Sequence, residues 1–497
     1  MIGRTRDLAQ VRSQSAEEAR VPQASEPPRA NAGGRVQSPL ELRSGATVPT
    51  SRAFTSAIFA THSESHMRRS IVVLALMTAT AASAHGQGLR EKLERGLFSF
   101  GDCGEPLCLP ALVLAGNPHG RHFIPSAEAG NAAIIAFLGS AIGANVSNIP
   151  ISATTSGVTY SFEGGAPVRN NVSSGPIFAE RAQTLGRRRM LIGANVSSIR
   201  FNTLRGIPLN SLDFNFTHQD INPPSEGSPA FENEFITVRT SLEVNVLATI
   251  AFATYGVTDR IDVSVAVPYV SNSIDGHSFG QIVPFGPNPA HYFAGTAAAP
   301  ILSATTDVNG SASGIGDVAL RAKVNLSPGG SKARTGFALL GDVRLPTGNE
   351  DDFLGSGSTS ARILGIVSAR YGDFAPHANA GVALRSSDDQ QDAILATAGF
   401  DQLLVRWATF AFDIISEWQL GDQKFSLPGP TQITIPFART IYPSNIPDRR
   451  DDLLNASIGT KLSTKKGLTF IVNALLPLNR GGLRASTLWT TGLEYGF

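Results

Sequence analysis

Charge and cysteine are both scarce in this chain, and it has no hydrophobic run long enough for a membrane helix. Charged residues make up 16% of the 497 positions, with Lys+Arg at 41 against Asp+Glu at 40. A balance this even offers no basic face for a phosphate backbone, so nucleic acid is excluded as the partner. A bilayer-spanning helix needs about 20 consecutive apolar residues. A mean hydropathy of +0.01 is too polar for a bundle of such helices. It suits a β-barrel, whose lipid-facing and lumen-facing residues alternate. The two cysteines, Cys103 and Cys108, stand in FGDCGEPLCLP. A metal site needs about four ligands and none is suitably spaced nearby. A redox CxxC needs two intervening residues where this pair has four. In an exported chain the default is a small disulfide loop.

Export is itself expected. Residues 67–84, MRRSIVVLALMTATAASA, place Arg68 and Arg69 before an apolar core from Ile71 to Met77 and an Ala82-Ser83-Ala84 cleavage site. These are the three parts of a secretory signal in order; the rest of a twin-arginine motif is missing. A signal works near a chain start, so Met67 is expected to be the true start. Residues 1–66 are then not translated, or else form a disordered leader rich in Arg, Ser, Pro and Ala. The mature chain divides into an N-terminal periplasmic or plug segment, 85–188, and a barrel, 189–497.

The barrel follows from a period of two. In FITVRTSLEVNVLATIAFAT at 235–254, Ile236, Val238, Leu242, Val244, Val246 and Ile250 share one face, and Thr237, Arg239, Ser241, Glu243 and Asn245 the other. The rhythm recurs near 261–269, 318–326, 335–346, 361–370, 374–385, 393–400, 405–420, 452–463, 468–478 and 487–497. Short turns alternate with longer connections, the longest being 274–314 and 421–451, as in outer-membrane barrels. With 189–201 as a first strand the count is about twelve, or fourteen if 157–163 or 209–217 also pair. The fold class is therefore an all-β, transmembrane, antiparallel up-and-down barrel with a short, partly helical N-terminal segment. A soluble sandwich would also alternate, but apolar stretches of about ten residues match a tilted membrane strand. Tyr255, Tyr371, Phe374, Phe400, Trp407, Tyr495 and Phe497 collect beside the short turns as an interfacial girdle, with Tyr269 and Trp418 for the opposite one. In 85–188, Leu89 to Leu97 reads as a short helix. Ala127 to Ile142 reads as an apolar helix with Ser126 as N-cap, plugging the lumen, packing beneath the barrel, or forming a local amphipathic element.

The chain ends WTTGLEYGF. Thr490, Gly492, Tyr495 and Phe497 fill the places of the signal read by the barrel-assembly machinery, which makes that machinery and outer-membrane lipids the expected partners. Three segments, TYGVTDRIDVSVAVPYVSN at 254–272, SGIGDVALRAKVNL at 313–326 and GDVRLPTGNEDDFLGSG at 341–357, carry a family resemblance. Over about 254–497 the chain resembles Gram-negative outer-membrane transporters of the MetA pathway of phenol degradation. The resemblance implies small cargo, hydrophobic or aromatic. Its motifs are structural, and 85–188 has no counterpart in that pattern.

No catalytic constellation stands out, and no cofactor or metal is expected. Gly314-x-Gly316 precedes no helix that could hold a phosphate. The acidic loop Asn349-Glu350-Asp351-Asp352 could hold calcium, though a solvated loop is the simpler reading. A lipase would need a Ser with a His and an Asn or Asp; His377, with Asn379 two residues on, is the lumen histidine, more simply a lining residue. Asp262, Arg321, Lys323, Asp342, Arg344, Arg362, Arg370, Arg385, His377, Asp413, Glu417 and Lys461 should face the lumen. They would either set pore selectivity or pair with one another to fill a narrow barrel. The expected function is an outer-membrane channel for small molecules. The alternative is a surface-interaction barrel whose long loops bind something outside.

Overall fold

The computed structural model describes residues 88–100, 125–154, 160–163, 166–169, 173–217, 234–284, 289, 291–296, 298–330, 333–425, 427, 429–433 and 438–497. The readings at 1–66, the signal at 67–84 and the Cys103–Cys108 loop lie outside the described residues.

Twelve antiparallel strands close into a barrel. They are β1 (Met190–Leu204), β2 (Phe235–Gly256), β3 (Ile261–Val283), β4 in two pieces (Ser303–Ile315 and Val318–Asn325), β5 (Thr335–Leu345), β6 (Ser360–Ala369), β7 (Phe374–Arg385), β8 (Ala393–Val405), β9 (Ala408–Gln419), β10 (Leu453–Ser463), β11 (Leu468–Pro477) and β12 (Leu488–Gly496). Each pairs with the next. β12 returns to β1, with Trp489 opposite Ser198 and Gly496 opposite Leu191, so no strand edge is left unpaired in lipid. Both pieces of β4 pair with β3, the break falling at Gly316-Asp317 beside Pro268, which has no N–H to give. The fourteen-strand alternative is not realised: 160–163 pairs with 166–169 in a separate ribbon, and 212–217 adds to the far half of β2.

The outward faces are apolar because no second sheet covers them. Leu320, Phe337, Leu339, Ile363, Val367, Leu468 and Leu493 all stand exposed on the barrel strands. Tyr255, Tyr371, Phe374, Trp407, Tyr495 and Phe497 are exposed at the short-turn end, with Tyr269, Trp418 and Trp489 at the other. β2 and β3 run 22 and 23 residues, about twice what a bilayer requires. On β3 the outward side chains are apolar from Ile261 through Tyr269 and then turn polar at Ser271, Ser273, Asp275 and His277. The apolar band therefore crosses the membrane, and the rest of β2–β4 projects beyond it.

That projection corrects the reading of 274–314 as loop. Three of its glycines, Gly276, Gly280 and Gly310, mark close packing, not turns. A Cβ on Gly310 would lie 2.5 Å from Leu89 Cδ2, and one on Gly280 would lie 2.9 Å from Phe100 Cζ. Both intruding side chains belong to the N-terminal segment, where helix α1 (Leu89–Gly96) lies against the inner face of the projection. The acidic loop, expected to be merely solvated, meets the start of this helix. Asp352 Oδ1 accepts from the Leu89 N–H at 3.3 Å and the Asp351 carbonyl from the Arg90 N–H at 2.7 Å, where a helix has unpaired donors and a positive dipole end.

Helix α2 (Pro125–Ser147) is longer than its apolar core suggested, and Ser126 falls inside it instead of capping it. Pro125 takes the first helical position, where its missing N–H costs nothing. The helix does not pack beneath the short turns. Its Leu138, Ile142 and Val146 join α1, Phe98 and the inner faces of the β2–β3 projection in one buried cluster at the mouth that carries the longer connections. Phe137 stacks on Phe425 at 4.4 Å, with the Arg205 guanidinium 5.2 Å from the Phe137 centroid. Arg205 follows β1 in a tight turn at φ +48, fully buried, and Asp451 fixes it through two hydrogen bonds of 2.8 and 2.7 Å.

Candidate functional site: the barrel lumen

Alternation points every second side chain inward, and the seven principal lumen candidates all lie on that face. Asp262, Arg321, Lys323, Asp342, Arg344, His377 and Asp413 are buried. They are not arranged as open rings. Neighbours in register supply some of the pairing: Lys323 lies opposite Asp262, and Asp342 lies between Arg321 and Arg362 on adjacent strands. Arg321 Nε is 3.2 Å from Asp342 Oδ2. His377 Nε2 meets Asp413 Oδ1 at 2.6 Å, and its Nδ1 is 3.6 Å from Asp401. Both imidazole nitrogens thus face carboxylates, and Asn379 is engaged elsewhere. The reading of His377 as a solvated lining residue is corrected to a buried one.

The remaining partners come from the N-terminal segment. Residues 173–187 lie across the short-turn half of the lumen without regular structure, so their backbone groups need side-chain partners. Asn379 supplies two of these: its Oδ1 accepts from the Glu180 N–H and its Nδ2 donates to the Glu180 carbonyl, each at 2.9 Å. Asn325 Nδ2 donates to the Ala182 carbonyl at 2.6 Å, Ser368 Oγ accepts from the Ala182 N–H at 3.0 Å, and Asp262 Oδ2 accepts from the Leu185 N–H at 2.9 Å. The side chains of the segment answer the strand charges. The Glu180 carboxylate takes Arg321 at 2.9 Å, Lys323 at 3.2 Å and the Thr154 N–H at 2.8 Å. Arg181 pairs with Asp401, and Ser173 donates to the same carboxylate. Burial alone would raise the Glu180 carboxyl, but Lys323, Arg321 and Thr154 hold it below its ordinary value.

Between this segment and the C-terminus of α2 lies a cavity of about 240 Å³. Its wall is largely apolar, with Ile149, Ile151, Phe178, Phe201, Leu395 and Ile415. Arg321, Arg344, Arg362 and Arg484 supply positive charge, and Glu180, Asp342 and Glu417 negative charge. Arg344 donates to the Ser147 carbonyl and Arg362 to Asn148 Oδ1, so two cations close the negative end of α2.

Sequence reasoning missed Glu180, Arg181 and Asp401. The first two sit in a segment with no periodicity, and Asp401 falls between the stretches 393–400 and 405–420 that alternation marks, whereas β8 runs on to Val405. At the C-terminus, Gly492 faces inward, where a Cβ would lie 2.0 Å from Asn195 Oδ1. Tyr495 and Phe497 are exposed on the outer face with ring centroids 5.6 Å apart.

Among solved structures, an outer-membrane channel from Pseudomonas putida F1 overlaps 64% of this chain and 98% of its own at 13% identity and a TM-score of 0.34. A deletion mutant of the TodX monoaromatic hydrocarbon channel overlaps 70% of this chain and 97% of its own at 10% identity and a TM-score of 0.29. The CymD monoaromatic hydrocarbon channel overlaps 63% and 88% at 9% identity, again with a TM-score of 0.29. Overlaps this loose add nothing to what the barrel itself shows. No curated protein matches the sequence. The family described as "Putative MetA-pathway of phenol degradation" matches residues 227–477, just over half of the chain, and the protein belongs to it.

Proposed function

We propose that the protein is an outer-membrane channel for small hydrophobic or aromatic molecules, its lumen closed by its own N-terminal segment. One observation carries the reading: the closure is polar and non-covalent. A barrel that only needed filling would be as stable, or more so, with apolar side chains in place of buried ion pairs. A segment held by carboxylates, guanidiniums and side-chain amides can instead exchange these partners for water and leave. Membership of a family tied to phenol degradation supports aromatic cargo. The short turns would face the periplasm and the projecting β2–β4 strands the exterior. The test is single-channel recording in a planar bilayer, on protein shown to be folded by heat-modifiable gel migration. Rare current steps from the native chain, made frequent by weakening the plug, are expected. A folded barrel that stays silent even with the plug weakened would count against a channel. It would favour the alternative of a surface-binding barrel, for which the polar outer face of the β2–β4 projection speaks.

A further inference from the structure

We infer that the lumen cavity is a binding site for a single-ring aromatic carboxylate, its ring against the apolar wall and its carboxylate taken by Arg344 and Arg362; this rests on the channel reading above. Size is the first argument. An apolar cavity of about 150 Å³ holds benzene, so the 240 Å³ here leaves room for one ring and a small substituent.

Charge is the second argument. Asp342 is shared between Arg321, at 3.2 Å, and Arg344, whose Nε is 3.6 Å away and makes no hydrogen bond although Arg344 is only 3% exposed. Arg362 has no carboxylate within 4.0 Å among the described residues, and neither has Arg484 on the far side of the cavity. The other carboxylates on the wall are engaged. Glu180 holds Arg321 and Lys323, and Glu417 holds Arg385 at 2.5 Å. Asp317, the next carboxylate near Arg344, accepts from the Gly348 and Ser356 N–H groups. The cavity therefore presents guanidiniums that its own carboxylates do not neutralise.

The third argument is what those guanidiniums hold. Arg344 takes the Ser147 carbonyl and Arg362 the Asn148 side-chain carbonyl, two neutral oxygens from consecutive residues at the end of α2. A carboxylate offers two acceptor oxygens on one carbon. A carboxylate makes charge-assisted bonds about twice as strong as such neutral ones, so it competes with the helix end for the same two cations. A neutral ring such as benzyl alcohol would gain the apolar wall but not this exchange.

The experiment is calorimetric titration of the folded, detergent-solubilised full chain with benzoate, with its neutral analogue benzyl alcohol and with acetate. Benzoate should bind at least tenfold more tightly than benzyl alcohol, and acetate should not bind in the same range. Arg362→Gln, on the less buried of the two cations, should remove most of the benzoate preference and leave benzyl alcohol unchanged. Arg362→Lys, which keeps the charge and loses the fork, should fall between. Equal affinity for benzoate and benzyl alcohol, no binding of either, or an Arg362→Gln barrel that folds and still prefers benzoate would overturn the site. Bilayer recordings on the same preparations separate the two readings: current steps without a benzoate preference sink the site alone, whereas silence from a plug-weakened barrel sinks the channel.

Discussion

Glu180 is the point at which the plug can be loosened by one atom. Glu180→Gln keeps the shape and an oxygen for the Thr154 N–H, but removes the charge that Arg321 meets at 2.9 Å and Lys323 at 3.2 Å. Breaking one side of a buried ion pair costs about 3–5 kcal/mol, because the surviving charge is left uncompensated. Here the lower end applies: Arg321 keeps Asp342 at 3.2 Å, and Lys323 keeps the Arg181 carbonyl at 3.2 Å. About 3 kcal/mol corresponds to roughly a hundredfold shift from plugged to unplugged. Single-channel recording at neutral pH should show open time rising by about that factor, with no loss of the folded band on gels. Acidification of the native protein should do the same. The native Glu180 carboxyl is held below its ordinary value of 4.5, so its stabilisation is complete above that value and fades as pH falls through the lower native one. Open time should climb below pH 4.5, and the Gln variant should lack that component of the response. A Glu180→Gln barrel as silent as the native one, with an unchanged acid response, would refute the assignment of Glu180 as a plug lock.

Three further outcomes test other levels of the structure. Leu339→Arg places a charge in the middle of β5 on the lipid face, where Leu339 is 48% exposed, and should lower stability by about 2–4 kcal/mol in urea titrations from vesicles. Gly310→Val pushes into Leu89, 2.5 Å from the new Cβ, and should cost about 1–3 kcal/mol by overpacking; limited proteolysis should cut residues 88–100 sooner while the barrel stays resistant. Phe497→Ala removes a ring that is 62% exposed and keeps the backbone bonds to Met190; it should slow insertion by reconstituted assembly machinery and leave the urea midpoint of folded protein nearly unchanged.

The strands were legible wherever one face meets lipid, because a period of two then has to hold without interruption. Leu339 and Asp342 needed no knowledge of each other to be assigned opposite faces. The projecting halves of β3 and β4 were not legible. Gly276, Gly280 and Gly310 carry the same letter whether they turn a chain or admit Leu97, Phe100 and Leu89, and only the position of the N-terminal segment decides which. The plug was the least legible part. Glu180 finds Lys323 across 143 residues, and its backbone is paired by Asn379 across 199, with nothing in the local pattern to announce either. The lumen charges on the strands could be named from alternation, but not all of their partners could, since Glu180 and Arg181 belong to a segment that has no alternation of its own.

The path of the chain has a consequence for how the barrel is made. The two helices lie at the long-connection mouth, residues 173–187 cross the lumen, and β1 then starts at the short-turn end, where the Met190 N–H bonds to the Phe497 carbonyl at 2.8 Å. With the short turns on the periplasmic side, the helices have crossed the membrane plane inside the ring of strands. A completed cylinder with residues 173–187 seated is a narrow passage for two helices, so the order that asks least of the molecule is passage first and the β1–β12 seam last. The hoop then keeps the helices at the far mouth, while residues 173–187 behind them stay free to trade their polar partners for water.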